Sequence, residues 1–319
     1  MGMLPNRRGI WGLGLGRPAS MVRSSSREYK QMPEGRWYIL ALGIQKPSKP
    51  IPLAPGVTLR PLTRTRPVAA FFPGFAVNWS GDDVKRPMVA LAGAGCDCEL
   101  EVNRDPQASQ SPEVNHAWLV STLLVLRGFK NYHGIRCRAR SWDDDPIDDV
   151  NDGRSDLDYS TWALEIGVPL VDLSSDDAAW ITSRFSRIQA LPKGGFANAI
   201  AKAYDCRYEP RLDDAIRTIW SAIDTLFSKV SDDSDRREIR LVKAIPRLLS
   251  NAITFERTKF LRDRVRDPVV HNLSNPDCSE EKLVEPLNES WWILQQLLLL
   301  HLDKPEEFTR ARLRELSKD

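Results

Sequence analysis

Cysteine is scarce in this sequence. The 319 residues hold five, Cys96, Cys98, Cys137, Cys206 and Cys278. An odd, scattered set does not make a disulfide framework, and a reducing compartment such as the cytoplasm is the simpler expectation. Long apolar runs are missing too. The richest stretch, 291-WWILQQLLLLHL-302, is broken by Gln295 and Gln296, so it predicts a buried helix and no membrane partner. Formal net charge is only +2. The chain as a whole is not drawn to polyanions, and any basic surface must come from uneven distribution.

Several chemical signatures are also lacking. Gly93 and Gly95 complete no dinucleotide fingerprint, and no G-x-S-x-G occurs. Cys96 and Cys98, with His133 and Cys137, supply zinc-ligand types, but the C-x-C spacing is short and no second close pair completes it. The acidic stretch 143–158 fails as a calcium loop. With Gly153 as the loop glycine, Val150 falls at a ligand position and Tyr159 where a glutamate is required. No cofactor and no metal are therefore expected. The first 27 residues contain five arginines and no acid. With their glycines and serines they predict a disordered basic leader over 1–35.

What is present falls into two halves. From 36 to 172, short apolar runs alternate with turn signals. Strands are expected at 36–44, 57–62, 68–72, 87–92, 97–102, 134–139 and 162–168. One helix interrupts them, opening near Ser111 and Pro112 and ending at Gly128. From 174 to 319 the apolar period becomes helical. The clearest case is 211–230, where Leu212, Ala215, Ile216, Ile219, Ile223, Leu226, Phe227 and Val230 recur at helical spacing. Further helices are expected at 174–191, 236–250 with a kink at Pro246, 256–267, 279–302 and 305–316. The fold class expected is α+β: a mixed α/β-strand domain followed by an all-α bundle.

The sequence has four histidines, and one closes 266-RDPVVH-271. On an ideal helix Arg266 and His271 stand about 140° apart, so they can share a cleft but not a flat face. Arginine offers phosphate a planar fork of donors, and histidine exchanges protons near neutrality. Together they suit metal-independent cleavage of RNA. A solvated arginine and a helix-terminal histidine is the plainer alternative. Arg127 and His133 form a comparable pair in the first half, so spacing alone decides nothing. The segment 236–266 adds context, with ten Lys/Arg against three Asp/Glu. A polyanion such as RNA would use such a patch, through Arg257, Lys259, Arg262 and Arg264.

Residues 212–272 resemble the HEPN family, and within it the Apea-like group. The likeness is carried by 213-DDAIRTIWSAIDTLF-227, 238-EIRLVKAIPRLLS-250, 261-LRDRVRDPVVH-271 and the R-x4-H pattern, with 196-FANAIAKAY-204 fitting the layout upstream. Asp224 stands where the group carries glutamate; Asp263, Pro268 and Asn272 depart from its pattern. The resemblance implies an HEPN-like helical bundle, a homodimer with its sites facing one cleft, and an endoribonuclease acting in defence or as a toxin. Arg266 would bind phosphate, His271 act as acid and base, and Asp224 orient one of them. A non-catalytic module of the same fold, binding RNA or protein, is the alternative.

Overall fold

The apolar run near residue 40 becomes an inner strand of a sheet. In the computed structural model, which describes residues 35–67, 95–104, 116–129, 132–144, 154–155, 170–190, 194–209, 212–227, 234–267 and 280–318, β1 (Gly35–Leu42) lies between β4 (Gly95–Arg104) and β5 (His133–Arg138). Beyond β4 come β3 (Val57–Pro67) and β2 (Ile51–Ala54), and beyond β5 the short β6 (Arg154–Ser155). The order is β2-β3-β4-β1-β5-β6, antiparallel at every pairing. β2 was not expected from the sequence, because its four residues carry a proline at the second position and read as loop. It joins β3 through Pro55-Gly56. Gly56 has φ +73°, and a Cβ there would sit 2.5 Å from the Asn103 carbonyl oxygen, so only glycine fits without strain. The strands expected at 68–72, 87–92 and 162–168, and the leader up to residue 34, lie outside the described residues.

Alternation along β1 and β4 assigns the two faces of the sheet. Ile39, Ala41, Cys98, Leu100 and Val102 join the main core. Leu40 and Glu99 point the other way and are equally buried. That second face is closed by residues 138–144. Glu99 accepts hydrogen bonds from Ser141 Oγ at 2.8 Å and from the Trp142 amide at 2.9 Å. Arg66 bonds the Trp142 carbonyl, and Arg138 stacks over the Trp142 ring. A strand buried on both faces reads as a continuous apolar run, which is what 36–44 shows.

Helix α1 (His116–Arg127) packs beneath the sheet, with nine of its twelve residues buried. α2 (Ser175–Gln189) opens on a full capping box between Ser174 and Asp177, satisfying two of its free amides. Then follow α3 (Gly195–Asp205), a 3₁₀ turn (Cys206–Tyr208), α4 (Leu212–Leu226) and α5 (Ser234–Leu248). α6 (Phe255–Phe260) runs into a π-helical segment (Leu261–Arg266). α7 (Glu280–Asp303), a 3₁₀ turn (Pro305–Phe308) and α8 (Arg310–Leu316) complete the order. α5 continues through Pro246 to Leu248. It stops where Ser250 and Asn251 take φ of 52° and 60° and the Asn251 amide turns back to the Pro246 carbonyl.

The chain is thus of mixed α+β class, but the division expected near residue 173 does not separate two cores. Buried apolar side chains form one cluster from Ile39 and Leu59, through α1, to Ile219, Leu294 and Leu313. Thr182 of α2 donates to the Leu53 carbonyl at 3.0 Å, Gln295 of α7 to the Leu126 carbonyl at 2.8 Å, and Arg207 to the Tyr132 carbonyl. α1 is apolar on every side because it is covered from both halves.

Candidate functional site

The ladder slips at Phe260. Up to that point α6 bonds in the ordinary way, with Thr258 bonded to Thr254. Beyond it the Asp267 amide reaches back five residues to the Arg262 carbonyl. The 140° offset expected for Arg266 and His271 presumes α geometry through this stretch, and that geometry ends before Arg266. One added residue per turn still leaves Leu261 and Val265 in the core and carries Arg266 onto the flank of α4. Such π turns recur at functional sites in proteins.

At the end of the π segment, Arg266 Nη2 lies 3.2 Å from Asp224 Oδ2 of α4, and Nη1 donates to Asp267 Oδ1 at 2.7 Å. Two of the three residues expected to act together, Arg266 and Asp224, are therefore in contact. They are partly exposed, with side-chain accessibilities of 19% and 39%. The third, His271, lies outside the described residues. Two carboxylates fix the guanidinium plane. Its position is set before any ligand arrives, but a phosphate must compete with them for the same donors.

The basic run around the pair is less open than its composition predicts. Arg257 bridges Glu285 and Glu289 of α7. Arg262 is buried, 7% exposed, and bonds Asp263 at 3.3 Å, so its place as a surface phosphate contact is corrected to one inside the packing of the π turn. Arg247 bonds the Leu316 and Lys318 carbonyls at the end of α8. Lys259 and Arg264 are exposed and carry no ion pair among the described residues.

On the neighbouring flank of α4 sits a cation outside the R-x4-H motif. Lys202 of α3 points at the polar stripe of α4. Its ammonium donates to Ser221 Oγ at 2.7 Å, Thr225 Oγ1 at 3.2 Å and the Ser221 carbonyl at 3.4 Å. Asp214, Arg217, Thr218, Ser221, Asp224 and Thr225 recur at helical spacing as the complement of the apolar face of α4. That pattern was available in the sequence as a stripe. Which helix would cover it was not. Nearby Glu209 has its carboxyl raised above the ordinary range, first by burial, with the Thr218 hydroxyl opposing.

The remaining candidates resolve into packing. Arg127 pairs with Asp177 at 2.6 Å and lies over the Trp180 ring; the side chain of His133 is outside the described set. His116 lies between Pro55 and Gln189, and His301 stacks on Phe196. Cys96, Cys98 and Cys206 are buried free thiols. Burial pushes the Cys98 thiol up to about 12, so it is no nucleophile near neutrality. Among the described residues no three His, Cys, Asp or Glu side chains are grouped to hold a metal. Trp291 is core, while Trp292 is 37% exposed. No described helix is long and apolar enough to cross a membrane. No family model, curated protein or solved structure matches the chain.

Proposed function

We propose that the protein is a metal-independent endoribonuclease of HEPN type, acting in a defence or toxin setting as a homodimer. The observation that carries the reading is the Arg266–Asp224 ion pair at 3.2 Å. It joins residues 42 apart, and both occupy positions that the family resemblance picks out for the site. In this reading Arg266 binds the scissile phosphate and stabilises the charge that builds on it. His271, four residues past Asp267, takes the proton of the neighbouring ribose 2′-hydroxyl. The 2′-oxygen then attacks phosphorus, and the 5′-oxygen leaves with a proton. The products are a 2′,3′-cyclic phosphate and a 5′-hydroxyl. Asp224 positions the guanidinium. Arg264 and Lys259 hold the RNA strand by its phosphates.

A second reading is a non-catalytic module of the same kind that binds RNA or protein. It is favoured by one observation: both ends of the Arg266 guanidinium are already held by carboxylates. The test is incubation of RNA with the protein in excess chelator, comparing wild type with Arg266→Ala and His271→Ala. The nuclease reading expects each variant to lose cleavage by about 100-fold or more. Equal cleavage by all three overturns it. Binding without cleavage by the wild type favours the module.

A further inference from the structure

We infer that Lys202, with the Ser221 and Thr225 hydroxyls, forms a second phosphate subsite beside Arg266, one that takes the phosphodiester adjacent to the scissile one in a single-stranded RNA. The inference rests on the RNA-directed reading above and extends it to residues outside the R-x4-H motif.

The geometry begins with α4. At 100° per residue, Asp224 and Thr225 stand about 100° apart on the helix, with Ser221 between them. Asp224 takes Arg266 on one flank. Ser221 and Thr225 take Lys202 on the other. The polar stripe of α4 therefore holds one cation on each of two neighbouring flanks. In this inference an RNA strand crosses that stripe and offers neighbouring phosphates to Arg266 and Lys202.

Charge separates the two cations. Arg266 is compensated by Asp224 and Asp267. Arg217, on the same stripe, is compensated by Asp214 at 2.6 Å. Lys202 is held by hydroxyl and carbonyl oxygens and has no carboxylate partner among the described residues. It is half-buried, so its charge is only partly screened by water. A phosphate oxygen is the ligand that such a charge lacks.

The hydroxyls complete the donor set. Thr225 Oγ1 donates to the Ser221 carbonyl at 2.7 Å and accepts from Lys202. Its proton is committed. Ser221 Oγ accepts from Lys202 at 2.7 Å, and its own proton has no acceptor among the described residues. The ammonium's three donors are placed, the longest on the Ser221 carbonyl at 3.4 Å. A phosphate oxygen would take that donor from a neutral carbonyl, while the free Ser221 proton meets a second oxygen of the same phosphodiester.

The test uses the full-length protein and a fluorescent oligouridylate of about 12 nucleotides, 2′-O-methylated so that it binds without being cut. Affinity is measured from about 50 to 200 mM salt, where log K falls by about 0.7 per phosphate neutralised on a single strand. Lys202→Gln is expected to lower that slope by about 0.7, Lys202→Arg to keep it, and Ser221→Ala to weaken binding about threefold to tenfold. Arg266→Gln is run beside them.

If Arg266→Gln loses slope and Lys202→Gln does not, Lys202 is only a clamp between α3 and α4. The inference then falls while the Arg266 reading stands. If Lys202→Gln loses slope and Arg266→Gln does not, the Arg266 reading falls and the subsite stands alone. No binding by the wild type overturns both. Thermal melts check that each variant is folded. Should Lys202→Gln fail that check, Ser221→Ala decides, and unchanged affinity there overturns the inference.

Discussion

The carboxamide of Gln295 in α7 donates to the main-chain carbonyl of Leu126 at 2.8 Å, with both residues buried. Leu126 is the penultimate residue of α1, so its carbonyl has no partner within its own helix. A side chain 169 residues away supplies one. Replacing it with leucine keeps the volume and strands the carbonyl. Gln295→Leu should cost about 1–3 kcal/mol and lower Tm by about 2–4 °C for each kcal/mol. Calorimetry should show one cooperative transition in both proteins, because a single core links the sheet to the bundle. Two separated transitions in the wild type would contradict that continuity.

Glu99 makes a pH prediction. It is 1% exposed, and burial raises its carboxyl pKa, against the pull of the Trp142 amide, the Ser141 hydroxyl and Arg60. A folded-state pKa above the unfolded one means that the folded protein binds more protons between the two values. Stability from this group is complete below the unfolded pKa and is lost as pH rises through the folded one. Glu99→Gln removes the titration. The Tm difference between wild type and Glu99→Gln should therefore favour the wild type most at low pH and narrow as pH climbs out of the ordinary carboxylate range. A gap that is constant, or that widens with pH, would show that Glu99 is not held this way.

The elements with strong periodicity were legible in the sequence, and α4 shows why. Of the eight apolar residues expected to share its face, the seven that are described are buried, and Val230 lies outside the described residues. The helix expected over 174–191 is α2, Ser175–Gln189, with Ser174 as its cap. Three things were not legible. β2 is too short and too rich in proline to carry a two-residue period. The π slip at Phe260 has no residue signature, because it depends on how Leu261 and Val265 reach the core. The shared core needed the pairing of α1 and α2 across the expected boundary, and the apolar character of α1 on every side was its only trace. At the site, the sequence named Arg266 and Asp224 through a resemblance. It could not name Lys202, whose meaning comes from the helix it faces. The basic count of segment 236–266 misled in the other direction, since Arg247, Arg257, Arg262 and Arg266 each find a local acceptor.

Asp224 discriminates between catalysis and binding. It touches Arg266 and, under the nuclease reading, acts through it, so its effect should fall on the step where the guanidinium must be aimed. Asp224→Asn keeps the shape, weakens the hold on Nη2 and removes a negative charge next to the RNA. Under the nuclease reading kcat should fall about tenfold, which is less than the loss from removing a charge-stabilising donor outright. KM should stay level or drop, because a repulsive charge has gone. Asp224→Glu restores the carboxylate and should keep kcat within about threefold. Single-turnover cleavage separates the two constants. A binding module predicts a different pattern: Asp224→Asn tightens RNA binding, by a factor that shrinks as salt rises, and has no turnover to change. Should Asp224→Asn raise KM and leave kcat alone, the carboxylate would be holding substrate and not Arg266, and the assignment of the ion pair as the core of the site would have to be given up.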